Sequence, residues 1–192
     1  LRPSYYLRCG GDVIGMELGL EGTVSLNNLT IDVYDSNAST SSCGKGGNQL
    51  ILNNISSNPI TVGGDFTFID GKINGGEFII AGNFDAQCAG GAGPIDSLVC
   101  AGGGTTNLRF NGSSSQTIRM DATALIPGSN IYFNNASGFV LTTEMTFNSH
   151  NLFMQNGDID LAGFNFLGLA DVSEYSSSIV PTASETIEYT SC

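Results

Sequence analysis

The stretch Ile60–Phe84, ITVGGDFTFIDGKINGGEFIIAGNF, decides how the chain folds. Apolar residues alternate with polar ones in short bursts, Ile60 and Val62, Phe66 and Phe68, Phe78 and Ile80. Each burst runs into a corner built from Gly, Asn or Asp: Gly63-Gly64-Asp65, Asp70-Gly71, Asn74-Gly75-Gly76, Gly82-Asn83. Alternation with period two marks half-buried strands, and these corner residues tolerate positive φ at low steric cost. No long segment keeps the 3.6-residue apolar period of an amphipathic helix. The stretch predicts an all-β chain of short strands and tight corners.

The pattern recurs outward from there. Leu26-Asn27-Asn28-Leu29, Leu50 to Ile55 (LILNNI) and Ile131 to Asn135 (IYFNN) repeat one phrase, an apolar strand end followed by an Asn doublet. Leu108 to Asn111 is a partial copy. Asn suits a corner because its side chain bonds locally to the backbone, and recurring Asn corners can stack as ladders. After Thr105, the pairs Phe139/Leu141, Met145/Phe147, Leu152/Met154, Ile159/Leu161 and Phe164/Phe166 predict five short strands. Three strand-and-corner units make a coil of about 20 residues, the length of a solenoid repeat. The reading is a right-handed parallel β-helix or β-solenoid spanning residues 1–192 as one domain, with an antiparallel β-sandwich as the alternative. Residues 1–20 read as an N-terminal cap or arm, and 181–192 as a C-terminal tail strand.

Composition narrows the function. Gly is 26 of 192 residues, and charged residues are only 12% against a typical quarter. Such a surface takes its polarity from Ser, Thr, Asn and Gly, as secreted β proteins do. The net charge of −12 repels a phosphate backbone, so nucleic acid is not an expected partner. No run of 18 apolar residues suggests a transmembrane helix, and with no initiator Met or signal peptide the chain reads as a mature or excised product. Five Cys without a CxxC, and one His, give poor zinc ligands; disulfides in an oxidising compartment are the better reading. Cys88 with Cys100 is the expected bridge, worth about 3 kcal/mol by loop entropy. Cys9 with Cys43 is a weaker pairing, which leaves Cys192 to lock a contact between chains.

The matching residues Phe110-Asn111-Gly112, Gln116-Thr117-Ile118, Phe133-Asn134-Asn135 and Asn156-Gly157-Asp158-Ile159-Asp160-Leu161 resemble a repeat module of large bacterial secreted surface proteins and adhesins. The segment Tyr175 to Val180 is similar to the serine-rich stretch that follows such modules. The resemblance covers 60–180 loosely and 105–180 well. It implies a β-helical fold and an extracellular or cell-surface location, and no reaction.

Candidate sites are few. His150 reads as a solvent-facing corner residue, since a neighbouring Ser does not make a triad. Asp158 and Asp160, two apart on a strand, point to one face about 7 Å apart. That spacing suits a hydrolytic carboxylate pair or Ca²⁺, beside the plainer reading of a solvated face. Arg109 and Arg119 are cations that could act beside such carboxylates. Asp65, Asp70 and Glu77 sit at successive corners as weaker Ca²⁺ candidates. No other cofactor is expected. Of the sequons at Asn28, Asn37, Asn54, Asn111 and Asn135, loop-borne Asn37 is the best glycosylation candidate. Tyr5, Tyr6, Tyr189 and Cys192 mark extended termini that could pair with a second copy. The expected function is an extracellular structural protein, a filament subunit or adhesin module without catalysis. The alternative is a carbohydrate-binding or polysaccharide-degrading β-helix.

Overall fold

The computed structural model describes residues 6–7, 15–19, 24–32, 49–53, 59–87, 101–104, 106–121, 130–146, 151–169, 171–174, 179–180 and 187–189. Every regular element among them is a strand, and the strands follow one another in coils. The first coil holds β1 (Tyr6–Leu7) and β2 (Gly15–Gly19). The second holds β3 (Val24–Leu26), β4 (Leu29–Asp32) and β5 (Gln49–Asn53), and the third β6 (Ile60–Val62) and β7 (Phe66–Asn74). Then come β8 (Glu77–Ile80), β9 (Phe84–Ala86) and β10 (Ala101–Gly104), followed by β11 (Asn107–Phe110) and β12 (Gln116–Met120). The sixth coil is β13 (Asn130–Asn134), β14 (Phe139–Leu141) and β15 (Met145–Thr146). The seventh is β16 (Asn151–Asn156), β17 (Ile159–Asp160) and β18 (Phe166–Leu169). The eighth is β19 (Asp171–Glu174), β20 (Ile179–Val180) and β21 (Ile187–Tyr189).

Strands pair with the coil above and below, in parallel, on three faces. The first face runs β3-β6-β8-β11-β13-β16-β19 and the second β1-β4-β7-β9-β12-β14-β17-β20. The third carries β2-β5-β7-β10 and, further along, β15-β18-β21. This is the parallel β-helix predicted by the sequence, and parallel crossovers take a right-handed path. The antiparallel sandwich is excluded by the ladders themselves. Asp70-Gly71 does not end a strand: β7 continues through it, leaving the second face and joining β5 and β10 on the third. Residues 6–7 and 15–19 add strands to the stack, while Ile187–Tyr189 pairs with β18 of its own chain.

The register explains the core. On the first face Val24, Ile60, Phe78, Leu108, Ile131, Leu152 and Val172 form one column. Two residues on, Leu26, Val62, Ile80, Phe110, Phe133 and Met154 form another. The second face answers with Leu29, Phe66, Phe84, Ile118 and Leu141. Successive strands lie about 4.8 Å apart, so equal positions stack side chain on side chain. Phe66, Phe84, Phe110, Phe133 and Phe139 make a chain of ring contacts at centroid distances from 4.7 to 6.3 Å. Phe164 lies outside any strand and is partly buried against the hydrophobic core. Phe110, fully buried and in contact with three other rings, is the node. We expect Phe110→Ala to cost about 3–5 kcal/mol in denaturant unfolding, and the outward Thr61→Ala to stay within about 0.5 kcal/mol.

Candidate functional site

The corner between the first and second faces gathers several of the polar side chains that the sequence singles out. Two of them are buried, Gln116 and Asn135, each 1% exposed. Gln116 begins β12 with the parity of Ile118 and Met120, so the strand sends its amide inward. Its Nε2 donates to the carbonyls of Ile80 (3.2 Å) and Gly82 (2.5 Å). Its Oε1 accepts from the Gly112 N–H (2.9 Å) and from Asn135 Nδ2 (3.0 Å). Asn135 Nδ2 also donates to the Ser114 carbonyl at 2.6 Å, and its Oδ1 accepts the Ser137 N–H at 2.9 Å. A primary amide offers two donors and two acceptor sites, and those of Gln116 are all filled. The pair ties three successive coils together.

Along the exposed rim of the same corner, side chains cap the backbone of the next coil. The Asp65 N–H donates to Asn28 Oδ1 (2.9 Å), the Asn83 N–H to Asp65 Oδ1 (2.9 Å), and the Thr117 N–H to Asn83 Oδ1 (2.8 Å). Asp65 is therefore a rung of this ladder. Asp70 sits mid-strand in β7, and Glu77 opens β8, where it accepts from Arg109 Nε at 2.9 Å. The three acids expected to share a Ca²⁺ groove are dispersed over different faces, because Asp70-Gly71 lies within a strand rather than at a stacked corner.

Asp158 and Asp160 do come together, on either side of buried Ile159 and facing outward. They line an open groove of about 330 Å³ with Ser115, Ser137, Gly138 and Val140. Asp160 Oδ1 accepts the Ala162 N–H at 2.9 Å, which fixes its carboxylate over the following turn. Arg109 and Arg119 are engaged elsewhere. Arg119 meets Asp85 at 2.6 Å and also pairs with Asp121. The Asp85 hydrogen bond raises the Arg119 pKa further, against burial, with the charges of Asp85 and Asp121 adding to it. A raised folded pKa stabilises fully below the unfolded pKa and is lost only on rising through the folded one. For arginine that window lies above the working pH range. Arg109 lies 4.2 Å over the Tyr132 ring and donates to Gln155 at 3.1 Å, while Tyr132 stacks on Phe153 at 4.7 Å. Among the described residues no three His, Cys, Asp or Glu side chains gather.

Other candidates fall outside the described residues: all five cysteines, Tyr5, Asn37, Asn54 and His150. Tyr6 lies in β1 and Tyr189 in β21. Of the other sequons, Asn135 is buried, and its amide gives both donors and an acceptor to the corner. The Gln116–Asn135 pair escapes a search for catalytic groups because neither side chain titrates. Its signal was present in the parity of Gln116 with Ile118 and Met120.

Asn135→Ala removes one of the two bonds to Gln116 Oε1 and takes the Asn135 partner from the Ser114 carbonyl and the Ser137 N–H, and we expect a loss of about 1–3 kcal/mol in stability. Arg119, whose side chain is 42% exposed, has less to give. Arg119→Gln should cost about 0.2–1 kcal/mol, and the deficit should shrink in high salt, as thermal melts at two ionic strengths will show. No protein-family model, no characterised protein and no solved structure matches this chain.

Proposed function

We propose that the protein is a non-catalytic structural module of the extracellular, surface-protein type, working as a filament subunit or adhesin. The observation that carries this reading is how the described charged side chains are spent. Glu77 with Arg109, Asp85 with Arg119 and Asp65 with the Asn83 backbone each join one coil to the next. They reinforce an axis instead of converging on a reacting centre. The described stack also has open edges, since β3 pairs only with β6 and β19 only with β16. A free parallel edge accepts a further strand, from the same chain or another. The low charge density, the net charge of −12 and the resemblance of residues 105–180 to adhesin repeats favour an extracellular setting.

One observation favours a second reading, carbohydrate binding. The groove beside Asp158 and Asp160 offers two carboxylates and two serines beside the apolar Val140, the mixture that sugar hydroxyls and C–H faces require.

Electron microscopy and sedimentation of the purified chain over rising concentration test the first reading. Fibres or end-to-end oligomers are the expected result. A chain that stays monomeric at the highest concentration and attaches to no cell or matrix surface overturns it. Polysaccharide binding that disappears in Asp158→Ala, with the melting temperature unchanged, would establish the second reading instead.

A further inference from the structure

The sequence contains three Asn-Gly pairs, Asn74-Gly75, Asn111-Gly112 and Asn156-Gly157. Asn-Gly is the dipeptide in which the following backbone nitrogen reaches the asparagine side chain most easily, because glycine has no Cβ to obstruct the approach. Two of these pairs form a matched comparison. Asn111 and Asn156 are both exposed, both stand at the corner between the first and second faces, and both precede a partly buried glycine. They differ in what the glycine nitrogen does. The Gly112 N–H is held by Gln116 Oε1 at 2.9 Å. The Gly157 N–H makes no hydrogen bond among the described residues.

The geometry points to Asn156 as a site of spontaneous modification, and we propose that it converts to aspartate and isoaspartate in the folded protein. The Gly157 nitrogen gives up its proton to hydroxide and attacks Asn156 Cγ. The new N–Cγ bond closes a succinimide ring, and the Cγ–Nδ2 bond breaks to release ammonia. Water then opens the ring at either carbonyl, giving aspartate or isoaspartate. Each cycle consumes one water and releases one ammonia, with no oxidant or cofactor. At Asn111 the same attack must first break the bond between Gly112 and Gln116, so the amide that fills the corner also protects its neighbour.

The consequences fall on the groove and the stack. A carboxylate at position 156 adds a negative charge two residues before Asp158, which lines the groove. Isoaspartate also lengthens the backbone by one carbon where little can move. The Asn156 carbonyl accepts the Asn135 N–H at 3.0 Å, and a Cβ at Gly157, whose φ is +80°, would overlap the Asn135 carbonyl. The isoaspartyl form therefore loosens the sixth coil from the seventh, beside the buried Asn135 amide.

The test needs only the native chain. The folded protein is held in mildly alkaline buffer, digested, and mapped by mass spectrometry with an isoaspartate assay; a second sample is held in denaturant. We expect Asn156 to convert at least about fivefold faster than Asn111 in the folded chain, the factor that one typical net hydrogen bond is worth. In denaturant the two rates should converge. Asn156→Gln should abolish the fast ammonia release. Conversion of Asn111 as fast as Asn156 in the folded chain, or no conversion of Asn156 while the denatured chain converts, would overturn the proposal.

Discussion

The stack depends on one buried interaction, the amide pair of Gln116 and Asn135. A β-helix must turn a corner wherever one face gives way to the next, and at a corner the backbone leaves the ladder and strands its polar groups. An unpaired buried carbonyl or N–H costs about 1–3 kcal/mol. Gln116 takes up the carbonyls of Ile80 and Gly82 from the coil before it and the Gly112 N–H from its own. Asn135 does the same for Ser114 and Ser137 and closes onto Gln116. Two buried side chains thus do inside the corner what Asn28, Asp65 and Asn83 do on its rim. The price is a polar group inside an otherwise apolar column, tolerable only because its partners are all present.

Outside the core the same stacking rule produces a different chemistry. On the first face, Asn107, Asn130 and Asn151 share one outward column and pass hydrogen bonds from coil to coil at 3.2 Å. In the next column Arg109 bonds Glu77 in the coil before it and covers Tyr132 in the coil after it. Tyr132 in turn stacks on Phe153. Equal positions are brought about 4.8 Å apart whatever residue occupies them, so chemistry along the axis is set by which residue types recur at one register. In the described region that recurrence yields bridges between neighbours, and the carboxylates of Asp158 and Asp160 are the pair that share a groove.

Much of this was legible in the sequence. Alternation marked β6, β8 and β14 because each side of a strand meets a different medium, and a period of two records that directly. The outward placement of Asp158 and Asp160 followed from the inward placement of Ile159 and Leu161. What alternation cannot encode is where the chain bends without breaking. Asp70-Gly71 carries corner residues, yet β7 runs through it, since both halves find ladder partners on adjacent faces. Spacing along the chain likewise could not show that Asp65, Asp70 and Glu77 diverge, because the register between coils is fixed by contacts remote in sequence. The burial of Asn135 was hidden for the same reason. Its environment is supplied by Gln116 and Ser114, which belong to another coil.

Register is preserved although coil length is not, and the rim ladder explains how. From Asn28 to Asp65 is 37 residues, from Asp65 to Asn83 is 18, and from Asn83 to Thr117 is 34, yet each side chain caps the equivalent N–H one coil on. The long additions enter after β4, β9 and β12, all strands of the second face, while connections from the first face to the second run from two to five residues. A slip of one residue would turn the core face outward, and the rim bonds and the amide pair hold the strands against it. An insertion after the second face leaves the ladder and the amide pair untouched. The corner that holds the register thus keeps to short connections of two to five residues, and the long additions lie on the side of the coil that does not set it.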